Sequence, residues 1–225
     1  TAAVALLKES AAQGSAKAQV ALSHYYLTGT GVDRSTTKAV GLLEQASASG
    51  SAQANFRLGY LHQTGQGFTK DLSKAQALYE DAAHAGLPLA QRQLALMLLN
   101  SNEAEDHVAG AQWLQQAART QEPQALNDFA WVLATNKHAQ VRNGGQALDY
   151  AQRAVEKEVE GENLSSYLDT LAAAYAELGR FSEAIETQNQ ALAVKAEAAA
   201  KLADNADSEE AAAALAAQES ITEEL

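Results

Sequence analysis

The chain has 225 residues and a formal net charge of −12, and its hydrophobic fraction of 47% consists largely of alanine, with only 6% aromatic residues and two prolines. This composition favours close-packed helices over strands, because alanine has the highest helix propensity and β-branched residues are few. No stretch reaches the roughly 18 apolar residues that a membrane span needs, and the absence of cysteine excludes disulfides, zinc–thiolate sites and thiol nucleophiles.

The negative charge is concentrated near the C-terminus. Residues 1–160 carry 13 basic and 15 acidic groups, whereas residues 161–225 carry 3 and 13. A nucleic-acid-binding protein needs a basic face, so the sequence predicts no nucleic acid partner. We interpret the acidic end as a solvated helix surface, with a docking tail for a basic partner as the alternative.

Four similar segments follow one another at offsets of 36, 36 and 35 residues, namely 2–14, 38–50, 74–86 and 109–121. In each, apolar residues recur at i, i+3, i+4 and i+7, which predicts an amphipathic helix. Glycine ends the first three segments, where a left-handed C-terminal cap costs it nothing. The fixed period predicts a repeat protein.

A second helix is predicted between these segments, over residues 18–28, 54–64, 90–100 and 125–136. Pro88 and Pro123 fall in the first turn of two of these helices, where proline is tolerated. Each unit therefore consists of a helix A, a loop, a helix B (the segments at 38–50, 74–86 and 109–121) and a short turn.

The loop after helix A contains two glycines in the first two units, Gly29 and Gly31, then Gly65 and Gly67. We expect positive φ at these positions, with Val32 and Phe68 packing an apolar side chain under the turn. A phosphate-binding loop is excluded, because it needs a preceding strand and Gly-Lys-Ser/Thr directly before a helix. The third unit has "NSNEAEDH" instead and must turn differently.

These repeats resemble the Sel1-like repeat family, a relative of the tetratricopeptide repeat. The second copy matches the family pattern at Ala54, Leu58, Gly59, Gly65, Gly67, Asp71, Lys74, Ala75, Tyr79, Ala82, Ala83 and Gly86. The first copy matches it at Ala18, Leu22, Tyr26, Gly29, Gly31, Val32, Lys38, Ala39, Ala46 and Gly50, but has Ser23 and Ser35 where the family usually has glycine and aspartate.

From about Glu122 the sequence is more similar to ordinary tetratricopeptide repeats. The segment from Tyr167 to Leu192 carries that motif at Leu171, Ala172, Tyr175, Gly179, Ala184 and Ala191, and resemblance implies that Ala172 and Ala184 let two helices cross closely. After Leu192 the pattern stops. Asp207 and Glu210 form a candidate capping box for one more helix, which either caps the solenoid or orders on a partner or a second copy.

No catalytic constellation is visible. The five histidines never pair at i and i+4, and there is no Gly-x-Ser-x-Gly nucleophile elbow. The sequence therefore predicts no enzyme activity, no metal site and no cofactor.

The resemblance implies that the A helices line an inner, concave surface. Positions two residues before and after the buried leucine of each A helix are then expected to face a partner. The candidate partner-binding residues are His24, Phe56, Tyr60, Arg92, Leu96, Asn127, Trp131 and Asp169. The alternative is that the aromatic residues among them pack one A helix on the next.

The sequence thus predicts an all-α fold, a right-handed α-solenoid of about five helix-turn-helix repeats with a C-terminal capping helix. Residues 1–121 form Sel1-like repeats, 122–194 tetratricopeptide-like repeats, and 195–225 an acidic, alanine-rich helix or cap. The expected function is a scaffold or adaptor that holds a protein or peptide. Resemblance to bacterial adaptors implies the periplasm, with the cytoplasm as the alternative. A self-assembling module, including a homodimer, and a regulatory domain of a larger protein stay open.

Overall fold

The computed structural model describes residues 2–67, 69–158 and 162–201. These residues form helices joined by turns and loops, and no strand occurs among them. The helices are α1 (Ala2–Ala12), α2 (Ala16–Thr28), α3 (Thr36–Ala48), α4 (Ala52–Thr64), α5 (Leu72–His84), α6 (Pro88–Leu99), α7 (Ala104–Ala117), a 3-10 turn (Ala118–Thr120), α8 (Pro123–Thr135), α9 (Gly144–Lys157) and α10 (Leu164–Glu177). Residues 181–201 are also helical and are called α11 here.

Short polar side chains begin many of these helices. The Asp71 carboxylate accepts a hydrogen bond from the Lys74 backbone N–H at 2.9 Å, and Asn143 Oδ1 accepts one from Gln146 at 3.0 Å. Each contact satisfies a backbone N–H that has no partner inside the helix. Pro88 and Pro123 are the first residues of α6 and α8, as the sequence predicts.

The chain divides into two compact units, Thr1–Ala125 and Leu126–Leu225. In the first unit each helix from α1 to α7 packs against the next one along the chain. The A helices are α2, α4 and α6, and the B helices are α3, α5 and α7, with α1 at the position of a B helix before α2. The predicted all-α solenoid is confirmed. Its right-handed course and the assignment of repeat types to residue ranges stay predictions.

Glycines turn the chain where the sequence predicts it. Gly29, Gly31, Gly65 and Gly67 have φ between 71° and 82°, and the glycines of the short turns, Gly14, Gly50 and Gly86, have φ between 80° and 87°. Val32 packs against the core residues of α1 and α2, whereas Phe68 lies outside the described residues. In the third unit Ser101 Oγ accepts a hydrogen bond from the Glu103 N–H at 3.0 Å, beside the start of α7.

Two pairs of A and B helices approach closely at a glycine. A Cβ added to Gly59 in α4 would lie 2.8 Å from Tyr79 Cε1 and 3.3 Å from the Ala75 carbonyl oxygen. One repeat later the glycine is on the other helix, because a Cβ on Gly110 in α7 would lie 3.1 Å from the Ala95 carbonyl oxygen. The close contact is therefore retained while the residue that permits it changes helix.

Buried or partly buried amide side chains join the A helices of the first unit to the end of the preceding B helix. Gln19 Nε2 donates to the Ala11 carbonyl, and Gln91 Nε2 donates to the Ala83 carbonyl, each at 3.3 Å. At the equivalent place in the middle repeat, Ser47 Oγ donates to Asn55 Oδ1. We call these three contacts the amide clasps.

The second unit is built from α8 to α11. Its core joins all four helices through Ala130, Ala151, Leu168, Leu171 and Ala191. The Phe129 and Tyr150 rings meet edge to face with centroids 4.8 Å apart. In the long loop before α9, Arg142 donates to the Asn136 carbonyl at 2.9 Å and pairs with Glu177 at 3.0 Å. The predicted capping box at Asp207 and Glu210 lies outside the described residues.

Candidate functional site

The A helices of the first unit enclose a cleft of about 410 Å³, which we call the first cleft. It is the size of a typical small-ligand or peptide side-chain pocket. Its lining residues come from α2, α4 and α6 and from the loop after α4. They are His24, Leu27, Phe56, Arg57, Tyr60, Leu61, Gln66, Leu89, Arg92 and Gln93.

Aromatic and aliphatic side chains form the wall of the first cleft. Phe56 is half-buried, and its ring centroid lies 5.5 Å from that of Tyr79 in the core. Tyr60 is one helical turn further along α4 and is 46% exposed, and Leu89 at the start of α6 is 58% exposed. One aromatic ring thus anchors the wall to the core, while Tyr60 and Leu89 leave apolar surface accessible to a ligand.

A hydrogen-bonded group beneath this wall holds α4, α5 and α6 together. The buried Tyr79 hydroxyl donates to Gln63 Oε1 at 2.8 Å, and Gln93 Nε2 donates to the same oxygen at 3.4 Å. Burial raises the pKa of Tyr79 to about 12, so its phenol stays protonated and keeps donating at neutral pH. The base of the first cleft is therefore fixed by side-chain contacts among three helices.

The ionisable side chains described for the first cleft, apart from tyrosine, are all basic. Arg57 and Arg92 line it, His24 adds a group that becomes a cation when protonated, and no Asp or Glu is among its described lining residues. Arginine binds carboxylates through two parallel N–H donors and also stacks on aromatic rings. The cleft thus combines apolar surface with donors suited to an anion.

An adjoining cleft of about 590 Å³ lies beside the first one and shares Gln93 with it. Leu96, one of the predicted partner-binding residues, lines this cleft, as do the side-chain amides of Gln63, Gln76 and Asn100. Amides both donate and accept hydrogen bonds, and so match the alternating groups of a peptide main chain.

In the second unit Trp131 and Asp169 line an open cleft of about 520 Å³, with a floor made of alanines from α10 and α11. Trp131 is 47% exposed. The Asp169 carboxylate accepts a hydrogen bond from Gln188 at 2.8 Å. Asn127 is 8% exposed, and its Oδ1 has no hydrogen-bond partner among the described residues.

The structure therefore brings together His24, Phe56, Tyr60 and Arg92 of the predicted set, and places Leu96 in the adjoining cleft. Trp131 and Asp169 line a separate cleft, and Asn127 is buried. Sequence reasoning missed Arg57, Leu89 and Gln93. Helical spacing contains the signal for the last two, because Leu89 lies three residues before Arg92 and four before Gln93, so it shares a face of α6 with each of them.

The described residues contain no group of three or more His, Asp or Glu side chains arranged to hold a metal ion. Within the same ranges no helix has the length and apolar character needed to cross a membrane.

The Sel1 repeat family matches residues 16–51, 52–87 and 88–119. Each match begins at or next to the first residue of an A helix and ends beyond the following B helix. No curated protein sequence is significantly similar to the chain.

Several solved structures share the fold, among them the following two. A Sel1 repeat protein from Oxalobacter formigenes is 24% identical, with a TM-score of 0.66 over 84% of this chain and 77% of that one. Protein 5086 of Pseudomonas aeruginosa is 19% identical, with a TM-score of 0.50 over 86% of this chain and 72% of that one. The molecule is an α-solenoid of the class to which these proteins belong. More specifically, it contains three Sel1 repeats, over residues 16–119.

Sel1-like repeat proteins are generally scaffolds for protein interaction and are typically non-catalytic. The repeats therefore imply a protein partner for this chain.

Proposed function

We propose that this chain is a scaffold that holds a peptide segment of a partner protein in the first cleft. The observation that carries the proposal is the convergence of His24, Phe56, Tyr60 and Arg92, from three successive A helices, on one cleft. Tyrosine and arginine are enriched among the residues that dominate binding energy at interfaces. No catalytic step is part of the proposal.

The cleft supports peptide binding better than a purely structural role for its aromatic residues. Phe56 and Tyr79 do pack in the core, which is the structural alternative raised by the sequence. Tyr60 and Leu89 extend beyond that core and retain about half of their surface. A ligand that covers exposed apolar surface inside a cleft removes this surface from water, which stabilises the complex.

The test is site-specific photocrosslinking in the native cell, with the photoreactive residue at position 60. The matched control places the same residue at Asp81, an exposed position on the B helix α5 of the same repeat. We expect one protein to be captured from position 60 and not from position 81. Equal capture from both positions would contradict a specific cleft.

A second candidate function is self-assembly, favoured by the apolar surface of α11. Phe181, Ile185 and Leu192 lie on one face of this helix and are 66%, 64% and 55% exposed. Replacing Ile185 with serine should then remove any concentration-dependent increase in mass measured by light scattering. A mass that is monomeric at every concentration would exclude this function.

The periplasmic location is likewise proposed, from the family resemblance alone. Cell fractionation of the natural full-length protein, with a cytoplasmic marker as the control, tests it directly.

A further inference from the structure

Charge is segregated between the two kinds of helix in the first unit. The A helices α2, α4 and α6 contain Lys17, Arg57 and Arg92 and no Asp or Glu within their described ranges. The B helices α3, α5 and α7 contain the cations Lys38 and Lys74. Their carboxylates are Glu44, Glu80, Asp81, Glu105 and Asp106.

This segregation runs against the charge of the chain, which is −12 in total. Charges separated by more than a Debye length, about 8 Å at physiological salt, are largely screened from one another. An approaching partner therefore responds mainly to the local cations of the first cleft, Arg57 and Arg92.

The apolar wall strengthens the attraction of these arginines for an anion. A carboxylate that enters beside Phe56, Tyr60 and Leu89 displaces water from that wall, and a charge pair with less surrounding water has a larger interaction energy. An apolar side chain on the same ligand covers the exposed parts of Tyr60 and Leu89. One ligand thus satisfies both features of the cleft.

The adjoining cleft indicates that this ligand is a peptide. Its amides, Gln63, Gln76, Gln93 and Asn100, supply the donors and acceptors that a continuing main chain requires, and Asp106 is the one charged residue among its described lining residues. Since Gln93 lines both clefts, a chain leaving the first cleft meets these amides directly.

We propose that the partner segment is an acidic peptide with a large apolar side chain, its carboxylate paired with Arg57 and Arg92 and its apolar group packed on Tyr60 and Leu89. This inference rests on the proposed function, since it names the chemistry of the ligand of that cleft.

The experiment is a selection from a random peptide library displayed on phage, carried out in parallel on the full chain and on its Tyr60→Ala variant. We expect peptides that require Tyr60 to be enriched in Asp and Glu beside a large apolar residue. Neutral or basic peptides that require Tyr60 would contradict the proposal of an acidic ligand but would agree with the proposed function. The absence of any peptide that requires Tyr60 would overturn both.

Leu89→Ser serves as the second selection target, because its side chain is 58% exposed and its replacement leaves the core unchanged. It keeps the test valid if circular dichroism shows that Tyr60→Ala disturbs the fold. We expect Leu89→Ser, like Tyr60→Ala, to lose the acidic peptides that the full chain enriches. Retention of these peptides by both variants would overturn the proposal.

Charge reversal then tests the arginines on one synthetic peptide taken from the selection. Arg92→Glu and Arg57→Glu should each weaken its binding at least about tenfold in fluorescence anisotropy. Arg119→Glu, an equal charge change at an exposed position outside the cleft, should not. Equal weakening by all three would show a general charge effect and overturn the proposal. Self-association abolished only by the cleft reversals would assign this face to a second copy instead.

Discussion

The A helices of the two units carry opposite charges. Those of the first unit contain lysine and arginine without a carboxylate, whereas α8 and α10 of the second contain Asp128, Asp169 and Glu177 without a lysine or arginine. Both sets present apolar residues to a core at the same helical spacing. The difference teaches that packing constrains the buried positions of a repeat, while its exposed A-helix positions are free to define different binding surfaces.

The interiors of the two units differ in a second way. The first unit uses the amide clasps at Gln19, Asn55 and Gln91, and Leu126, the next residue in this register, is fully buried in the second. Glycine at positive φ follows the A helices α2 and α4, but the loop from Asn136 to Asn143 has none.

Gly59→Ala should lower the free energy of unfolding of the first unit by about 3 kcal/mol, because the new Cβ overlaps the Tyr79 ring. Urea unfolding followed by circular dichroism measures it. Gly41→Ala is the control, since a Cβ there meets nothing within 4 Å; it should stabilise α3 by about 0.5–1 kcal/mol.

The same overlap should be relieved by a second substitution. Leucine occupies the position of Tyr79 in the neighbouring repeats, as Leu43 and Leu114, where the facing residues are Ser23 and Ala95. The double variant Gly59→Ala/Tyr79→Leu should therefore be more stable than Gly59→Ala alone. A double variant that is less stable would show that the ring is not what excludes the methyl group.

Gly65→Ala should lower the free energy of unfolding by about 1–2 kcal/mol, because φ at this position is 77° and an L side chain is strained there. Gly145→Ala in the second unit should change stability by less than about 0.5 kcal/mol, since its Cβ would approach only Asn143 Oδ1, at 3.7 Å. Thermal unfolding of both variants checks the contrast. Similar losses would show that the loop after α4 and the first turn of α9 are under the same constraint.

Gln91→Ala should lower stability by about 1 kcal/mol, the usual net value of one buried hydrogen bond. The loss stays small because the Ala83 carbonyl retains its hydrogen bond from Gly86 at 2.9 Å. Gln53→Ala, at an exposed position of α4, is the control and should be neutral. A cost well above this value would mean that the amide clasps also set the angle between repeats.

The smallest expected effect is a pH dependence of the free energy of unfolding of the first unit. Burial and the nearby Lys74 lower the pKa of His62, against weaker opposing contributions from Asp71 and Glu44. The unfolded chain therefore binds the proton first, and stability is retained above about pH 6.5 and falls as pH decreases below it. His62→Gln should flatten this slope in urea titrations, and an unchanged slope would contradict its assignment to His62.

Much of the fold follows from the sequence because its determinants are local. Helical periodicity, the glycines after α2 and α4, and Pro88 each act within one turn of the chain, so their pattern predicts helix positions directly. The contact glycine lies on the A helix in one repeat (Gly59) and on the B helix in the next (Gly110). This change could not be predicted, because it depends on which helix presents its small residue to the other. Such pairings are tertiary and leave no periodic signal of their own.

The candidate site was predictable only in part, for a related reason. Counting two residues either side of the buried leucine finds Phe56 and Tyr60, which face the same way on α4, but omits Arg57 and Leu89. These two reach the first cleft because neighbouring helices enclose it from other angles. Their contribution depends on the positions of three helices at once, which spacing along one helix does not contain.

Because the short turns of the first unit repeat, its length can change by one whole repeat at a time. Gly50 and Gly86 have φ of 80° and 82° and each precedes an A helix at the same distance. Deleting residues 52–87 would join Ser51 to Pro88 through a turn of the same geometry. Such a deletion removes Phe56 and Tyr60 together, so a protein of this design gains or loses one complete segment of its binding surface with each repeat.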